Sequence, residues 1–321
     1  MTRYDAKTEH HRGTLRALGG FLLLLLLTAA VGCGVEFDDE HQYLLKKAEL
    51  LSITLDPPAV GPAETSRASL LLADAEGEKA PGFVAWFAGD PMSLMAGESS
   101  EALVSLKLGT SVEFEAPAEK DCVFDDEGNA TLPLGLLVQI GELPADVKTP
   151  EEIMEALPRL LDDGVVKLAS RTLQIRKGGA PQAVNPRVAG ISVELEDEAQ
   201  GAARPQVALV HHDDADIAAA RHEAKAKAIS VIAEERVHLH VAAAPPSDLD
   251  KLRLQWVATG GDLKGRRLAR QPWVAPKYKE PKAGEPDPNV YTLWLIARDD
   301  PETEKLGQSW FEFYLRVTPK P

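Results

Sequence analysis

Two clusters of polar residues have the types that bind metal ions. His238 and His240 alternate in one predicted strand, which places two imidazoles on the same face, as some zinc sites require. The nearby stretch 211–214 (HHDD) adds further ligand types, but spacing fixes no third ligand, and Leu239 defines the inward face. We therefore expect both histidines to face solvent and to bind no metal.

The stretch 125–129 (DDEGN) gathers oxygen ligands in a short turn. It lacks the alternating spacing and the distant bidentate Glu of a calcium loop. We expect a turn in which Asp and Asn side chains accept hydrogen bonds from the backbone.

Catalytic motifs are missing from the sequence. It contains no nucleophile elbow, P-loop or Rossmann glycine pattern, and Ser99-Ser100 has no motif around it. The sequence therefore predicts a protein that is not an enzyme and needs no cofactor.

The N-terminus has the pattern of a secretory signal. Basic residues dominate positions 1–20, an apolar run (FLLLLLLTAA) fills 21–30, and small residues follow. The uncharged stretch from Ala17 to Val35 has 19 residues, barely the roughly 20 that span a bilayer. A transmembrane anchor is the alternative.

The run Ala30-Val31-Gly32-Cys33 resembles the lipobox of bacterial lipoproteins, although that family prefers Leu where Ala30 stands. The resemblance implies that residues 1–32 are removed and that Cys33 carries a diacylglycerol and an acylated amine. Gly34, where the family's inner-membrane retention signal has Asp, implies the outer membrane. We expect residues 33–45 to form an acidic, solvated tether, on either the periplasmic or the surface side.

Composition narrows the function classes further. The chain has 35 basic and 50 acidic residues, a net charge of −15, and only two cysteines. Nucleic-acid binding begins with basic side chains that neutralise phosphates, so we expect no nucleic-acid partner. If Cys33 is lipidated, Cys122 is alone and is expected to be a buried small hydrophobe; otherwise a bridge between the two is the alternative.

Beyond residue 45, apolar residues alternate with polar ones in short segments separated by Gly, Pro, Asp and Asn. This pattern is typical of β-sandwiches. A faint repeat pairs the Trp86 segment with the Trp256 segment. We predict two copies of one sandwich, residues 46–180 and 184–319, with a linker at 178–186.

The second copy resembles immunoglobulin-like and PKD-type domains. Trp256 stands where they place the core tryptophan of the third strand, and Tyr291 fits their tyrosine corner. The first copy matches less well, because its penultimate strand contains Pro133 and Gly135 and lacks a corner tyrosine. The predicted fold class is mainly β, with two tandem Ig-like sandwiches.

Two helical insertions interrupt the strand pattern. Thr149 to Glu152 forms a capping box that starts a helix near 150–162, which Pro158 splits or kinks. A second segment near 214–229 is rich in Ala, Glu and Lys, with Asp213 or Asp214 as a cap and an i,i+4 pair of Glu223 with Lys227. It is either a helix or a mobile crossover loop.

The last two strands indicate an outer aromatic patch. Alternation directs Trp294, Trp310 and Tyr314 away from the core of the second sandwich. Either this chain covers the patch, with the first sandwich, a helical insertion or the 272–288 loop, or a partner protein or glycan binds there.

The sequence thus predicts a lipid-anchored cell-envelope protein with a binding or structural role and an unknown ligand. The alternative is an accessory, non-catalytic module of an extracytoplasmic enzyme or transport complex.

Overall fold

The computed structural model describes residues 44–89, 107–179, 184–195, 204–264, 268–300 and 306–321. The predicted signal segment, Cys33 and most of the tether lie outside these residues. The described chain is mainly β, as the alternation predicted.

The first half forms two sheets. Its strands are β1 (Glu49–Asp56), β2 (Ala59–Val60), β3 (Thr65–Asp74), β4 (Gly77–Glu78), β5 (Val84–Ala88), β6 (Lys107–Leu108), β7 (Ser111–Glu115), β8 (Asn129–Gln139) and β9 (Val166–Arg176). One sheet joins β1, β3 and β4, with β7 also on β3, and the other has the order β2-β9-β8-β5-β6. Apolar side chains from both sheets meet in one core around Trp86.

The second half repeats this plan. Its strands are β10 (Val188–Leu195), β11 (Val210–His211), β12 (Ile229–Ile232), β13 (Arg236–Ala243), β14 (Leu252–Ala258), β15 (Asp262–Leu263), β16 (Arg270–Val274), β17 (Val290–Asp299) and β18 (Gln308–Thr318). One sheet has the order β10-β13-β16-β15, and the other has β14-β17-β18, with β11 and β12 both on β18. Their facing sides bury Trp256 and Trp273 in a second core.

The strand order of each half is that of an immunoglobulin sandwich. In the second half, the sheets correspond to the A-B-E-D and C-F-G sheets of that fold. A short early strand pairs in parallel with the last strand of each half, β2 with β9 and β12 with β18. Trp86 on β5 and Trp256 on β14 occupy the equivalent strand of each sandwich, the C strand of the immunoglobulin fold. Both side chains are fully buried, and each indole donates to a backbone carbonyl. The predicted fold class is confirmed.

The tyrosine corner predicted at Tyr291 is not formed. Its hydroxyl is buried and has no hydrogen-bond partner among the described residues. The ring instead lies against Gly260, where an added Cβ would be 2.3 Å from the ring edge, and near Trp273, with centroids 6.5 Å apart. Gly260 thus makes room for the ring, and the tyrosine serves as packing.

Helices α1 (Pro150–Glu155) and α2 (Leu157–Asp162) cover the outer face of the β5–β8–β9 sheet. The predicted capping box is formed, since Glu152 N donates to Thr149 Oγ1 at 3.2 Å and Thr149 N donates to Glu152 Oε2 at 3.0 Å. The helix breaks at Ala156, two residues before the predicted Pro158, which is the second residue of α2.

The second insertion is helix α3 (Ile217–Ala226), so the mobile-loop alternative is wrong. Its N-cap is Asp216, which accepts from Ala219 N at 2.9 Å, and not Asp213 or Asp214. Asp214 instead accepts from His211 N at 2.8 Å and closes the turn before the helix. The predicted Glu223–Lys227 ion pair is present.

The predicted solvated tether ends earlier than residue 45. Leu44 forms a parallel bridge with Ala258, and Leu45 N donates to the carbonyl of Ala258 at 3.0 Å. Leu45 is buried between the two halves. Its burial against the sandwiches makes the end of this segment part of the folded body.

Candidate functional site

The aromatic patch predicted on the last two strands is assembled as expected but is not exposed. Trp294, Trp310 and Tyr314 share the outer face of the β17–β18 sheet. They are 0%, 4% and 2% exposed. Of the two alternatives, cover by the chain itself is the one observed, and the rings belong to a contact between the halves, which we call the junction.

Two parts of the chain cover the rings. The first half contributes the outer faces of β1 and β3, including Leu51 and Leu71, and α3 contributes Ala224. The 272–288 segment is not among them. It begins inside β16, where Trp273 points into the second core and its indole donates to Gly260 O at 3.0 Å.

A carboxylate lies at the centre of the junction. Glu312 is 1% exposed, directly across the ladder from Trp294. The Trp294 indole donates to Glu312 Oε2 at 2.9 Å, and the Tyr314 hydroxyl donates to Oε1. Arg221, on α3, donates to both oxygens at 2.9 Å each. Both oxygens of this buried carboxylate therefore accept hydrogen bonds.

Arg221 connects three parts of the structure. Besides Glu312, its guanidinium pairs with Glu78 of the β3–β4 hairpin in the first half. It lies 5.8 Å from the Trp310 ring centroid, and Lys225 lies 5.2 Å from that of Tyr314. One arginine therefore ties the first half and α3 to the second half.

Burial and the neighbouring Glu312 carboxylate raise the pKa of Tyr314 above its ordinary value. The hydroxyl is consequently a donor throughout the physiological range. This is the state that its contact with Glu312 requires.

A polar seam continues the junction beyond the ionic cluster. Asn185, in the linker, donates to Leu55 O at 2.8 Å and accepts from Gln308 N at 3.0 Å. The Gln308 side chain donates to Ser52 Oγ at 2.6 Å. The linker is therefore hydrogen-bonded to both halves and does not act as a free spacer.

His212 is a titratable group at the edge of the junction. Its ring centroid is 6.4 Å from that of Trp310, and its Nδ1 is buried without a hydrogen-bond partner in the described chain. Burial lowers the pKa of His212, against the opposing effects of Asp213, Asp56 and Asp214, while His211 adds to the lowering. The folded protein thus favours the neutral ring.

This shift predicts a pH dependence of stability. Because the unfolded state binds the proton more tightly, the free energy of unfolding should fall as pH drops from about 6.5 toward the lowered native pKa. His212→Gln should reduce this loss, whereas His222→Gln, at an exposed position on α3, should not. Denaturant unfolding of all three proteins between pH 7.5 and 5 measures the difference; equal slopes would contradict it.

The predicted histidine pair does not simply face water. His238 and His240 share the outward face of β13, but His240 is half-buried and pairs with Glu194 on β10. Arg204 and Arg270 contact the same carboxylate oxygen at 3.3 and 3.4 Å. The His240 hydrogen bond, followed by the two guanidiniums, lowers the pKa of Glu194. Within the described residues, no group of three or more His, Cys, Asp or Glu has the geometry to hold a metal.

The acidic stretch at 125–129 forms the predicted turn. Asp125 Oδ1 accepts from Glu127 N at 3.0 Å and from Asn129 N at 2.7 Å. Nearby Cys122 is partly buried against the first core, less buried than expected, and its Sγ donates to Pro117 O at 3.5 Å. Burial, with Asp121 and Glu119, raises the pKa of its thiol, which favours the unreactive form.

Glu312 is the residue that sequence reasoning missed. Alternation places it correctly on the outer face, where a carboxylate normally faces water. The only local signal was its position between Trp310 and Tyr314, both large and amphipathic. Its partner Arg221 is 91 residues away in sequence.

Comparison with known proteins returns no match, neither to a family model nor to a curated sequence. No helix in the described ranges is both long and apolar enough to cross a membrane. The geometry is that of a buried ionic and aromatic cluster that holds the two sandwiches together.

Proposed function

We propose that this chain is a lipid-anchored cell-envelope protein with a binding or structural role. The observation that carries the proposal is the lipobox-like run ending at Cys33, with Leu44, the first described residue of the folded body, eleven positions further on. The Ig-like sandwich is a common scaffold for cell-surface proteins, which supports the proposal by analogy.

The length of the connecting segment limits the reach of the body. Eleven residues span at most about 36–40 Å when fully extended, at roughly 3.3–3.6 Å per residue. A protein acylated at Cys33 would therefore hold its sandwiches within about one domain diameter of the membrane surface. At this distance, the sandwiches could bind a ligand that lies close to the membrane surface.

The junction supports a structural element of the role. Two sandwiches joined only by a flexible linker would move independently. Here Arg221, Glu312 and the Asn185 seam favour a fixed arrangement, so that the outward surfaces keep a constant relation to each other. A rigid two-sandwich body is suited to presenting a binding surface, and such a role requires no catalytic step.

Replacing Cys33 with Ala tests the anchor. In a Gram-negative host, we expect the native chain in the membrane fraction, cut before Cys33 and with the added mass of its acyl chains. Cys33→Ala should lose that mass and the cleavage, because the thiol is the attachment point. Intact mass spectrometry of detergent-extracted protein is the measurement.

Cys122→Ala is the matched control and should leave cleavage, acyl mass and fractionation unchanged. An uncut native chain with a free thiol at Cys33 would contradict lipidation and favour the transmembrane alternative.

A further inference from the structure

Asn129 is the only accessible asparagine of the three in the chain. Asn185 and Asn289 are buried, and the side-chain amide of each donates to a backbone carbonyl. Asn129 is half-buried at the first position of β8, and its side chain makes no hydrogen bond to any residue that the structure describes. Its amide is therefore free to take part in a reaction.

The residues around Asn129 match the acceptor motif of asparagine-linked glycosylation. The run 127–131 (EGNAT) contains the Asn-x-Thr sequon, whose middle residue is not proline. Bacterial oligosaccharyltransferases also require an acidic residue two positions before the asparagine, and Glu127 supplies it. The other two asparagines have Arg and Tyr where the sequon needs a hydroxyl, so neither of them completes the motif.

Alternation along β8 directs both functional groups of the sequon to the same side. Ala130 points into the first core and is 7% exposed, whereas Thr131 is exposed on the opposite face of the strand. Asn129 shares the face of Thr131, because side chains two positions apart in a strand point the same way. The Thr131 hydroxyl also makes no hydrogen bond within the described chain. A transferase can thus reach the amide and the hydroxyl together.

The surface around Asn129 has room for a sugar. Helices α1 and α2 cover this sheet near its other end, where Phe87 belongs to the covered layer and lies opposite position 135 of β8. That position is six residues from Asn129, or about 20 Å at roughly 3.3 Å per residue. Across the ladder from the sequon lie Arg176 and Gln174, which are hydrogen-bonded to each other at 3.1 Å. An attached glycan would therefore contact a polar surface.

The motif also lies where the strand can open. Asn129 and Arg176 form the first pair of the β8–β9 ladder, and the exposed residues 125–127 precede it. The end of a ladder opens at a lower free-energy cost than its centre. A transferase can consequently bind the run 127–131 without unfolding the first sandwich.

We propose that Asn129 is an acceptor for asparagine-linked glycosylation, an inference that rests on the proposed export to the cell envelope. The donor is an oligosaccharide joined to a lipid pyrophosphate. The Asn129 Nδ2 atom gives up one proton to a base of the transferase and bonds to the anomeric carbon of the sugar. The bond between that carbon and the pyrophosphate oxygen breaks, and the lipid pyrophosphate leaves with the electron pair. The product carries a bulky, hydrated group at this edge of the first sandwich.

Incubation of the purified, folded full-length chain with a bacterial oligosaccharyltransferase and its lipid-linked oligosaccharide tests the proposal. Intact mass spectrometry should show the gain of one oligosaccharide, and peptide mapping should place it on Asn129. Asn129→Gln and Thr131→Val should gain no mass, whereas Thr131→Ser should be modified, because it keeps the hydroxyl. Urea unfolding of each variant verifies that it is folded.

The acidic position has a matched control. Glu127→Gln should lose the modification, and Asp126→Asn, at the neighbouring exposed acid, should keep it. No mass gain on the native chain, a gain that persists in Asn129→Gln, or equal modification of Glu127→Gln and Asp126→Asn would each overturn the proposal. The reaction uses purified components and does not depend on Cys33 or on export, so its failure leaves the lipid anchor to its own test.

Discussion

Arg221→Met is expected to lower the free energy of unfolding by about 3–5 kcal/mol, the usual cost of leaving a buried charge without its partner. The variant retains an unbranched apolar stem but removes the guanidinium, and with it the bidentate contact with Glu312 and the ion pair with Glu78. Glu312, which is 1% exposed, would then have only the Trp294 and Tyr314 donors. Urea unfolding followed by tryptophan fluorescence measures the loss.

Two further variants identify the cause. Lys227→Met removes the exposed ion pair with Glu223 on the same helix and should cost less than about 0.5 kcal/mol. Arg221→Met combined with Glu312→Gln should be more stable than Arg221→Met alone, since it removes the unpaired charge. If the double variant is the less stable of the two, the penalty comes from lost packing around Arg221 and not from the carboxylate.

The junction shows what alternation can and cannot predict. A period of two assigns each side chain to a face, so the shared face of Trp294, Trp310 and Tyr314 follows from the sequence alone. It does not reveal what covers that face. The cover comes from β1, β3 and α3, which are distant in sequence, and their apolar side chains read equally well as parts of other cores.

The helices show the same division between local and distant information. The capping box at Thr149 is a contact within four residues and was predicted correctly. The cap of α3 was wrong because three aspartates compete within four positions. Asp214 is used by the turn that closes on His211 N, which leaves Asp216 to begin the helix.

Pro133 and Gly135 made the first half look less like an immunoglobulin domain than the second half. Both residues nevertheless lie within β8, its penultimate strand, whose ladder to β9 runs unbroken. The carbonyl of Pro133 accepts from Gly89 N at 2.8 Å, so the nitrogen of Pro133 points to the same side, toward β5. Pro133 lies just beyond the last β5–β8 ladder pair, which joins Ala88 and Leu134. The proline therefore removes no donor that this ladder needs.

Gly135 is required by a neighbour that the sequence does not identify. It lies opposite Phe87 in the β5–β8 ladder, and a Cβ built at this position would be 2.0 Å from Phe87 Cζ. The ring lies over the glycine and is 1% exposed. It packs with Ile153 and Leu160 of the helices that cover this sheet.

Gly135→Val is expected to destabilise the protein by about 3 kcal/mol, at the upper end for an overpacked core position. Valine cannot fit without moving Phe87, and moving Phe87 disturbs the layer beneath α1 and α2. Thermal and urea unfolding measure the loss. Gly190→Ala, at another strand glycine, is the control and should cost less than about 1 kcal/mol, because the nearest atom there is the movable end of the Gln206 side chain.

A compensating change separates steric conflict from strand propensity. Phe87→Ala alone should cost about 3–5 kcal/mol by leaving a cavity. Combined with Gly135→Val, it should cost less than the sum of the two single changes, because valine then occupies space that the ring has vacated. Strictly additive losses would show that the Phe87 ring and Gly135 do not depend on each other. The cost of Gly135→Val would then come from the β8 backbone and not from a clash with the ring.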